Sequence, residues 1–155
     1  GILGVERLTN IAAAVPWFVK ATLQLSNATL LPSEQMSFGG ASSNRGYVTS
    51  GVTRDNGFQL VNEFRAPYVG EALARAMGLN SEEHQLVPFL FVDYGAGWNH
   101  RDSNGTWVAM MTAGPGFSLQ LTRHASLRFT YGFPVWKMGQ TGRELLSQFA
   151  VNTTF

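Results

Sequence analysis

Apolar and polar residues alternate with a period of two along several segments of this chain. In residues 17–26 the odd positions from Trp17 to Leu25 are apolar, whereas Lys20 and Gln24 are among the polar residues between them. Successive side chains of a β-strand point to opposite faces, so this alternation predicts strands with one apolar and one polar face. Six strands are predicted, one of them (86–98) from its length and aromatic content, at residues 17–26, 58–66, 86–98, 107–122, 124–133 and 149–155.

The lengths and faces of these strands favour a membrane protein. Several reach the roughly 9–11 residues that a tilted strand needs to cross a bilayer. The apolar faces are nearly free of charge, and backbone groups in lipid must all be paired, which requires a closed barrel. The pattern therefore favours an all-β, antiparallel transmembrane β-barrel over a soluble sandwich or lipocalin-like barrel. Aromatic residues near the strand ends resemble interfacial girdles: Trp17, Phe58, Trp98, Trp107, Phe133, Trp136 and Phe155.

The connections differ in length between the two ends of the predicted sheet. A tight turn joins Thr122 to His124, and short turns on one side with long loops on the other are typical of outer-membrane barrels. The connection 70–85 is expected on the short-turn side, with a brief helical turn from Glu71 to Met77. The longer polar connections are 27–56, 99–106 and 135–146.

Composition and histidine placement remove several classes of function. The chain has no cysteine and a formal net charge of +1, so neither a thiolate metal site nor a nucleic-acid partner is expected. His84 and His100 flank one predicted strand at opposite ends, and His124 lies at a tight turn. We find no nucleophile, base and orienting group together, and no metal-ligand spacing. An enzyme, a cofactor and a metal are therefore not expected.

The long connection carries a motif. Residues 30–47 read LLPSEQMSFGGASSNRGY. They resemble the segment of two-partner secretion (TpsB) transporters of the Omp85 superfamily that reads roughly L-P-S-S-E-Q-F-S-L-G-G-x-x-S-V-R-G-Y. Asn44 stands where valine is usual, and the serine doublet is reduced to Ser33. The matching residues that we single out are Gly39, Gly40, Arg45, Gly46 and Tyr47.

Further segments resemble the same family in the same order. Residues 55–65 resemble its G-D-x-G-x-L…E-L-R stretch, although Arg54 replaces the usual glycine. Phe91, Asp93 and Gly95 occupy the fixed positions of its F-x-D-x-G strand motif. Residues 114–117 resemble its G-x-G element, and Phe155 matches the aromatic C-terminus read by the barrel-assembly machinery. The resemblance covers residues 17–155.

The resemblance implies a sixteen-stranded barrel in the outer membrane of a Gram-negative bacterium, preceded by periplasmic POTRA domains. This chain (1–155) would supply the last six strands and no POTRA domain. It would export a partner exoprotein of the hemolysin or adhesin type, and its other partners would be membrane lipid and the assembly machinery. The loop 27–56 would fold into the lumen, where Arg45 pairs with Asp93 in a loop-to-wall lock.

The chemistry of Asp93 agrees with that implication. Asp93 is the only ionisable residue between Leu86 and Trp98. Facing lipid it would cost several kcal/mol, whereas facing the lumen beside Phe91 and Gly95 it could accept a bidentate guanidinium.

Other functions, and the closure of the barrel, stay open at this level. A passive porin or structural outer-membrane barrel could line its lumen with charged residues, and a barrel-inserting branch of Omp85 shares part of the motif set. Six strands cannot close a sixteen-stranded barrel, so a fragment, self-association or a smaller closed barrel are all compatible with the sequence. Residues 1–16 could add a short strand or a turn.

In the passive-porin interpretation, the charged residues that could line the pore are Lys20, Glu63, Arg65 and Arg128.

Overall fold

A computed structural model gives the arrangement of most of the chain. It describes residues 1–12, 15–40, 43–47, 52–78, 85–101, 107–122, 125–138 and 146–153. The strands are β1 (Ile2–Ala12), β2 (Val15–Gln24), β3 (Met36–Phe38), β4 (Val52–Arg54), β5 (Asn56–Arg65), β6 (Gln85–Trp98), β7 (Val108–Thr122), β8 (Ala125–Met138) and β9 (Leu146–Thr153), and the helix is α1 (Pro67–Ala76).

Seven strands form one sheet in the order β1-β2-β5-β6-β7-β8-β9, and all neighbours are antiparallel. The prediction of an antiparallel all-β fold is confirmed. The sheet does not close on itself, because β1 and β9 each pair with one neighbour among the described residues. Strands β3 and β4 form a separate two-stranded sheet within the connection from β2 to β5. No helix in the described part of the chain is long and apolar enough to cross a membrane.

Three predicted boundaries were wrong. Residues 2–12 form a full strand of 11 residues rather than a short strand or turn, so the sheet has seven strands instead of six. The alternation of β1 is hidden because Arg7 shares a face with Leu3 and Val5, as their pairing with β2 shows. Strand β8 continues past Phe133 to Met138. Met111 pairs with Trp136 and Thr112 with Pro134, so Val135 is an extra residue of β8, and Pro134, which cannot donate to the ladder, lies at this bulge. Strand β9 begins at Leu146 rather than at Phe149.

Helix α1 is longer than the predicted turn. It begins at Pro67, a position where the missing N–H costs nothing, and it spans 10 residues. It ends at Ala76, and Gly78 just beyond it has a φ of +73° and donates its N–H to the Arg75 carbonyl at 3.1 Å. The helix packs against β6, and Ala74 is buried at this contact.

The two faces of the sheet differ in what covers them. We call the face covered by the described residues of the connection from β2 to β5 (25–40, 43–47 and 52–55) the inner face and the opposite one the outer face. On β6 the inner residues Phe89, Phe91 and Asp93 are buried, whereas Leu90 on the outer face is 63% exposed. A small hydrophobic core lies between the inner face and the loop: Met36, Phe38, Tyr47, Val52, Val108 and Met110.

Candidate functional site

The connection from β2 to β5 folds back over the inner face. Its hairpin of β3 and β4 places Phe38, which is 1% exposed, against the wall. The inner face of β5 and β6, which forms the wall, has no side chains at this point. A methyl group on Gly57, Gly95 or Gly97 would come within 2.6–2.8 Å of the Phe38 ring. The glycines of β5 and β6 therefore form the seat for Phe38, and larger residues there would push the loop off the wall.

Asp55 holds the base of this connection. Its Oδ1 accepts hydrogen bonds from the Leu30 N–H and the Gln35 Nε2, and its Oδ2 accepts one from the His100 N–H, all at 2.9 Å. The side chain is buried. Burial by itself would raise the pKa of Asp55, but the hydrogen bonds from His100, Leu30 and Gln35 outweigh it and hold that pKa below its ordinary value.

Arg45 lies at the tip of the connection and touches two carboxylates. Its Nε donates to Asp93 Oδ2 at 2.7 Å and its Nη2 donates to Asp93 Oδ1 at 2.6 Å, a bidentate pair. Its Nη1 donates to Glu63 Oε1 at 2.6 Å. The guanidinium carbon lies 3.9 Å from the centroid of the Phe91 ring, so the aromatic face contacts the cation. The Arg45 side chain is 3% exposed.

Glu63 connects this pair to two further arginines. Arg65 donates to Glu63 Oε2 at 3.1 Å, and Arg128 from β8 donates to Oε1. The guanidinium of Arg128 also lies 4.4 Å from the Phe89 ring centroid. The five charged residues of the cluster carry three positive and two negative charges (Arg45, Arg65 and Arg128 against Glu63 and Asp93), a formal balance of +1.

Such a cluster stabilises one geometry of the loop. Removing one partner of a buried ion pair leaves the other charge uncompensated, which costs about 3–5 kcal/mol. Asp93 is fully buried, and its oxygens receive the Arg45 backbone N–H at 3.2 Å as well as the guanidinium. The loop tip is therefore fixed to β6 through both its main chain and its side chain.

Glycines let the tip approach the wall. Gly39, Gly40 and Gly46 all have φ near +96° to +97°. A methyl group on Gly46 would lie 2.8 Å from the Gly132 carbonyl carbon, so this is a backbone-to-backbone contact with β8. Next to it, the Tyr47 hydroxyl donates to the Trp136 carbonyl at 3.1 Å, which ties the loop to the same strand.

The structure brings most of the sequence-predicted residues together. Arg45 contacts Asp93 and Phe91, and the Gly95 backbone lies against Asn44 and Phe38. Sequence reasoning assigned Glu63 and Arg128 only to a possible pore lining and missed them as members of the Arg45 cluster. The sequence shows only that each of them is a charged residue on the polar face of a strand. It does not show the strand register, which determines the charged residue that each one contacts. Three predicted positions lie outside the described residues: His84, His124 and Phe155.

Asn44 replaces the usual valine and is fully buried. Its Nδ2 donates to the Met110 carbonyl at 3.4 Å, near the limit for a hydrogen bond, and its Oδ1 has no partner among the described residues. In the part of the chain that the structure describes, no group of three or more His, Asp or Glu residues is arranged to hold a metal ion.

These features define a class of protein: one with an antiparallel sheet of long strands whose long loop is held against a charged inner face. Residues 5–119 match the sequence model of the family described as haemolysin secretion/activation protein ShlB/FhaC/HecB, and the chain belongs to this family. Its members are outer-membrane β-barrel transporters of Gram-negative bacteria and not a class of enzymes, which places the chain in that membrane.

A curated relative gives the same assignment. The chain is similar to the outer membrane transporter CdiB of Escherichia coli, with 32% identity over 125 residues. The match covers 77% of this chain and 18% of that transporter, so the chain spans about a fifth of the relative's length. The match therefore relates the open sheet of seven strands to one part of a longer chain.

Proposed function

We propose that this chain is the loop-bearing part of a two-partner secretion transporter, which exports an exoprotein of the hemolysin or adhesin type across the outer membrane. In this proposal residues 1–155 are a C-terminal barrel segment and residues 27–56 are a lumen-folding loop. Arg45 and Asp93 form the loop-to-wall lock, with Glu63 as a second anchor. The chain performs no covalent chemistry, so export rests on barrel and loop geometry alone.

One observation carries the proposal: every nitrogen of the buried Arg45 guanidinium donates to a carboxylate of the wall, at 2.6–2.7 Å. Asp93 lies on β6 and Glu63 on its neighbour β5, so one side chain joins the loop to two strands. A loop that merely rested in a water-filled lumen would not need to bury its charge in this way, because an exposed ion pair contributes little.

The arrangement sets the shape of the conduit. Phe38 and the Arg45 cluster keep residues 36–40 and 43–47 against the strands β5 to β8, so an extended polypeptide would pass through the part of the lumen that these residues do not fill. The inner face next to the cluster carries Arg65 and Arg128, each about a third exposed at its side chain. These groups give the path a polar lining that an unfolded chain can pass without binding tightly.

The passive-porin alternative is less well supported. A porin of this size would line its lumen with charged residues that face water. Here Glu63 is 5% exposed at its side chain and is enclosed by three arginines. The charged residues thus serve to hold the loop, and the family match is to secretion proteins rather than porins.

A double-mutant cycle on the complete transporter tests the lock. Arg45→Ala and Asp93→Ala are each expected to reduce the secreted exoprotein by about tenfold, and the double variant to be no worse than either, because both remove one interaction. The measurement is exoprotein in the culture medium, normalised to transporter in the outer membrane. Additive losses would contradict the lock.

Two controls sharpen this test. Arg45→Lys keeps the charge but cannot form the bidentate pair, and it is expected to stay as defective as Arg45→Ala. Arg101→Ala removes the same charge from an exposed arginine in the connection that follows β6. It is expected to leave secretion unchanged. Equal defects in Arg45→Ala and Arg101→Ala would show that net charge matters and the lock does not.

A further inference from the structure

An apolar groove lies on the outer face, beneath helix α1. Its volume is about 520 Å³, within the ~300–1,000 Å³ typical of ligand sites. Leu73 and Met77 at the helix form one wall, and Leu86, Pro88, Phe117 and Leu127 of the sheet are among those that form the floor. All of its lining residues are apolar.

Strand register places this groove on the lipid-facing side. Leu86 pairs with Leu119, Pro88 with Phe117, and Leu119 in turn with Leu127, so the floor residues share one face across β6, β7 and β8. That face is the one that exposes Leu90, opposite to the face bearing Asp93. Neither the folded-in loop nor another strand of the same barrel wall can therefore cover the groove.

Helix α1 is built to lie at a membrane surface. Its small residues Gly70 and Ala74 face the sheet, where Gly70 is so close to the Leu86 carbonyl that no side chain would fit. Leu73 and Met77 are 47% and 63% exposed, next to the groove. The charged pair of Glu71 and Arg75, one helical turn apart, occupies a separate stripe. Apolar and charged stripes on one short helix are typical of an interfacial helix.

The groove fits within the depth of one leaflet. It runs from Leu119 to Pro115 on β7, four residues or roughly 14 Å of strand at ~3.4 Å per residue, which at a tilt of ~35–45° covers roughly 10–11 Å along the membrane normal. Half of the hydrocarbon core is about 15 Å thick. The groove opens near the start of β6 and the end of β7, at the edge of the sheet where a short connection joins β7 to β8, and short turns lie on the periplasmic side in outer-membrane barrels.

We propose that this groove binds an acyl chain of a phospholipid from the periplasmic leaflet, with α1 as its clamp. The polar stripe of Glu71 and Arg75 then lies among the head groups, and the apolar wall of Leu73 and Met77 lies along the chain. This site is independent of the lock at Arg45, which lies on the other face of the sheet.

Photo-crosslinking tests the site. The complete transporter is reconstituted in vesicles of phosphatidylethanolamine and phosphatidylglycerol that contain a phosphatidylethanolamine with a diazirine in one acyl chain. Labelled residues are mapped by peptide mass spectrometry. We expect the label to concentrate on α1 and on the floor residues Phe117 and Leu127, above the outer-face residue Leu90.

Variants separate a built site from lipid that merely surrounds the barrel. Leu73→Trp fills the groove from the helix and Leu127→Trp fills it from the floor. Each is expected to lower labelling of the groove about tenfold, the loss of roughly two buried methylene contacts. Leu90→Trp adds the same ring outside the groove and is expected to change labelling less than twofold. Heat-modifiable gel migration shows that each variant is folded.

The outcomes decide between occupants. Equal labelling of Leu90 and the groove in all variants would show general lipid contact and overturn the site. Crosslinks from α1 to another polypeptide in native membranes, with no lipid adduct, would overturn it in favour of a protein partner. A diazirine fatty acid without a head group that labels the groove as well as the phospholipid does would overturn the assignment to phospholipid.

Discussion

The connection from β2 to β5 and the connection from β5 to β6 lie on opposite faces of the sheet. The described residues of the connection from β2 to β5 fold over the inner face, where Arg45 and Asp93 are almost completely buried. Residues 66–78, the described part of the next connection, place α1 on the outer face and leave Leu73 and Met77 exposed. One sheet thus carries a charged, buried attachment on one side and an apolar, exposed one on the other.

The difference follows from what surrounds each face. On the inner side a buried guanidinium needs carboxylates at fixed distances, since an uncompensated charge costs several kcal/mol. On the outer side α1 is held by close backbone approach at Gly70 and by apolar contacts, which lack direction. The inner connection should therefore tolerate almost no displacement, whereas the outer one can shift and keep most of its stabilisation.

The largest expected difference between the two connections comes from adding one methyl group to a glycine in each and measuring how firmly the inner loop stays seated. Gly46→Ala forces a side chain onto a φ of +97° and against the Gly132 backbone. Backbone strain and overpacking of about 1–3 kcal/mol each predict a loss of roughly 2–6 kcal/mol in loop seating. Trypsin cleavage after Arg45, which is 2% exposed in the seated loop, measures the release.

Gly70→Ala is the matched variant on the outer side. Its methyl group would overlap the Leu86 carbonyl, but α1 can move outwards into lipid, so the loop on the other face should stay seated. We expect cleavage after Arg45 to remain as slow as in the unaltered protein. Equal cleavage in both variants would mean that the two faces respond together and that the contrast is wrong.

A smaller effect is expected at the base of the inner connection, and it depends on pH. Asp55 has a pKa below its ordinary value of 3.8, so the folded state favours the carboxylate. Its stabilisation is fully present above the ordinary value and is lost as pH falls through the lowered pKa. Loss of the bonds from Leu30, Gln35 and His100 should weaken the loop base by about 1–3 kcal/mol.

Amide hydrogen exchange at Leu30 and His100 measures this effect directly, because both N–H groups donate to Asp55. Their protection factors should fall as the pH drops below 3.8. In Asp55→Asn the side chain has no charge to lose, so protection should be lower at neutral pH and flat across the same range. A parallel pH dependence in both proteins would exclude Asp55 as its source.

The contact between Arg45 and Asp93 on the inner face could be predicted from the sequence, whereas the packing of α1 on the outer face could not. Asp93 could be recognised because it is a lone charge in an apolar strand, and Arg45 because it lies in a motif. The role of Glu63 depends on the register that places it beside Phe91, across the pairing of β5 with β6. Alternation within one strand contains no information on that pairing.

The remaining errors have physical causes of the same kind. β1 escaped prediction because Arg7 and Leu8 each break the alternation, and its membership in the sheet comes from pairing with β2. The helical turn at residues 71–77 could be predicted, but not its place on the outer face. That place depends on the contact of Gly70 and Ala74 with β6, which only the folded arrangement defines.

The smallest expected effect concerns Asn44, a buried polar residue whose amide contributes little to holding the loop on the inner face. Its buried Oδ1 lacks a partner among the described residues, and the Nδ2 bond to Met110 is long at 3.4 Å. Asn44→Val should therefore stabilise the seated loop by about 1 kcal/mol, because it removes an unpaired buried group at similar size. Slower trypsin cleavage after Arg45 is the readout.

Asn44→Ala separates polarity from packing. It removes the same amide but leaves a cavity beside Gly95 and Phe38, so it should destabilise the loop relative to asparagine. If valine speeds the release of Arg45, the Asn44 amide contributes to seating, and the inner attachment depends on neutral hydrogen bonds as well as on its charges. The order valine, asparagine, alanine in loop stability is the result that supports a charge-held loop.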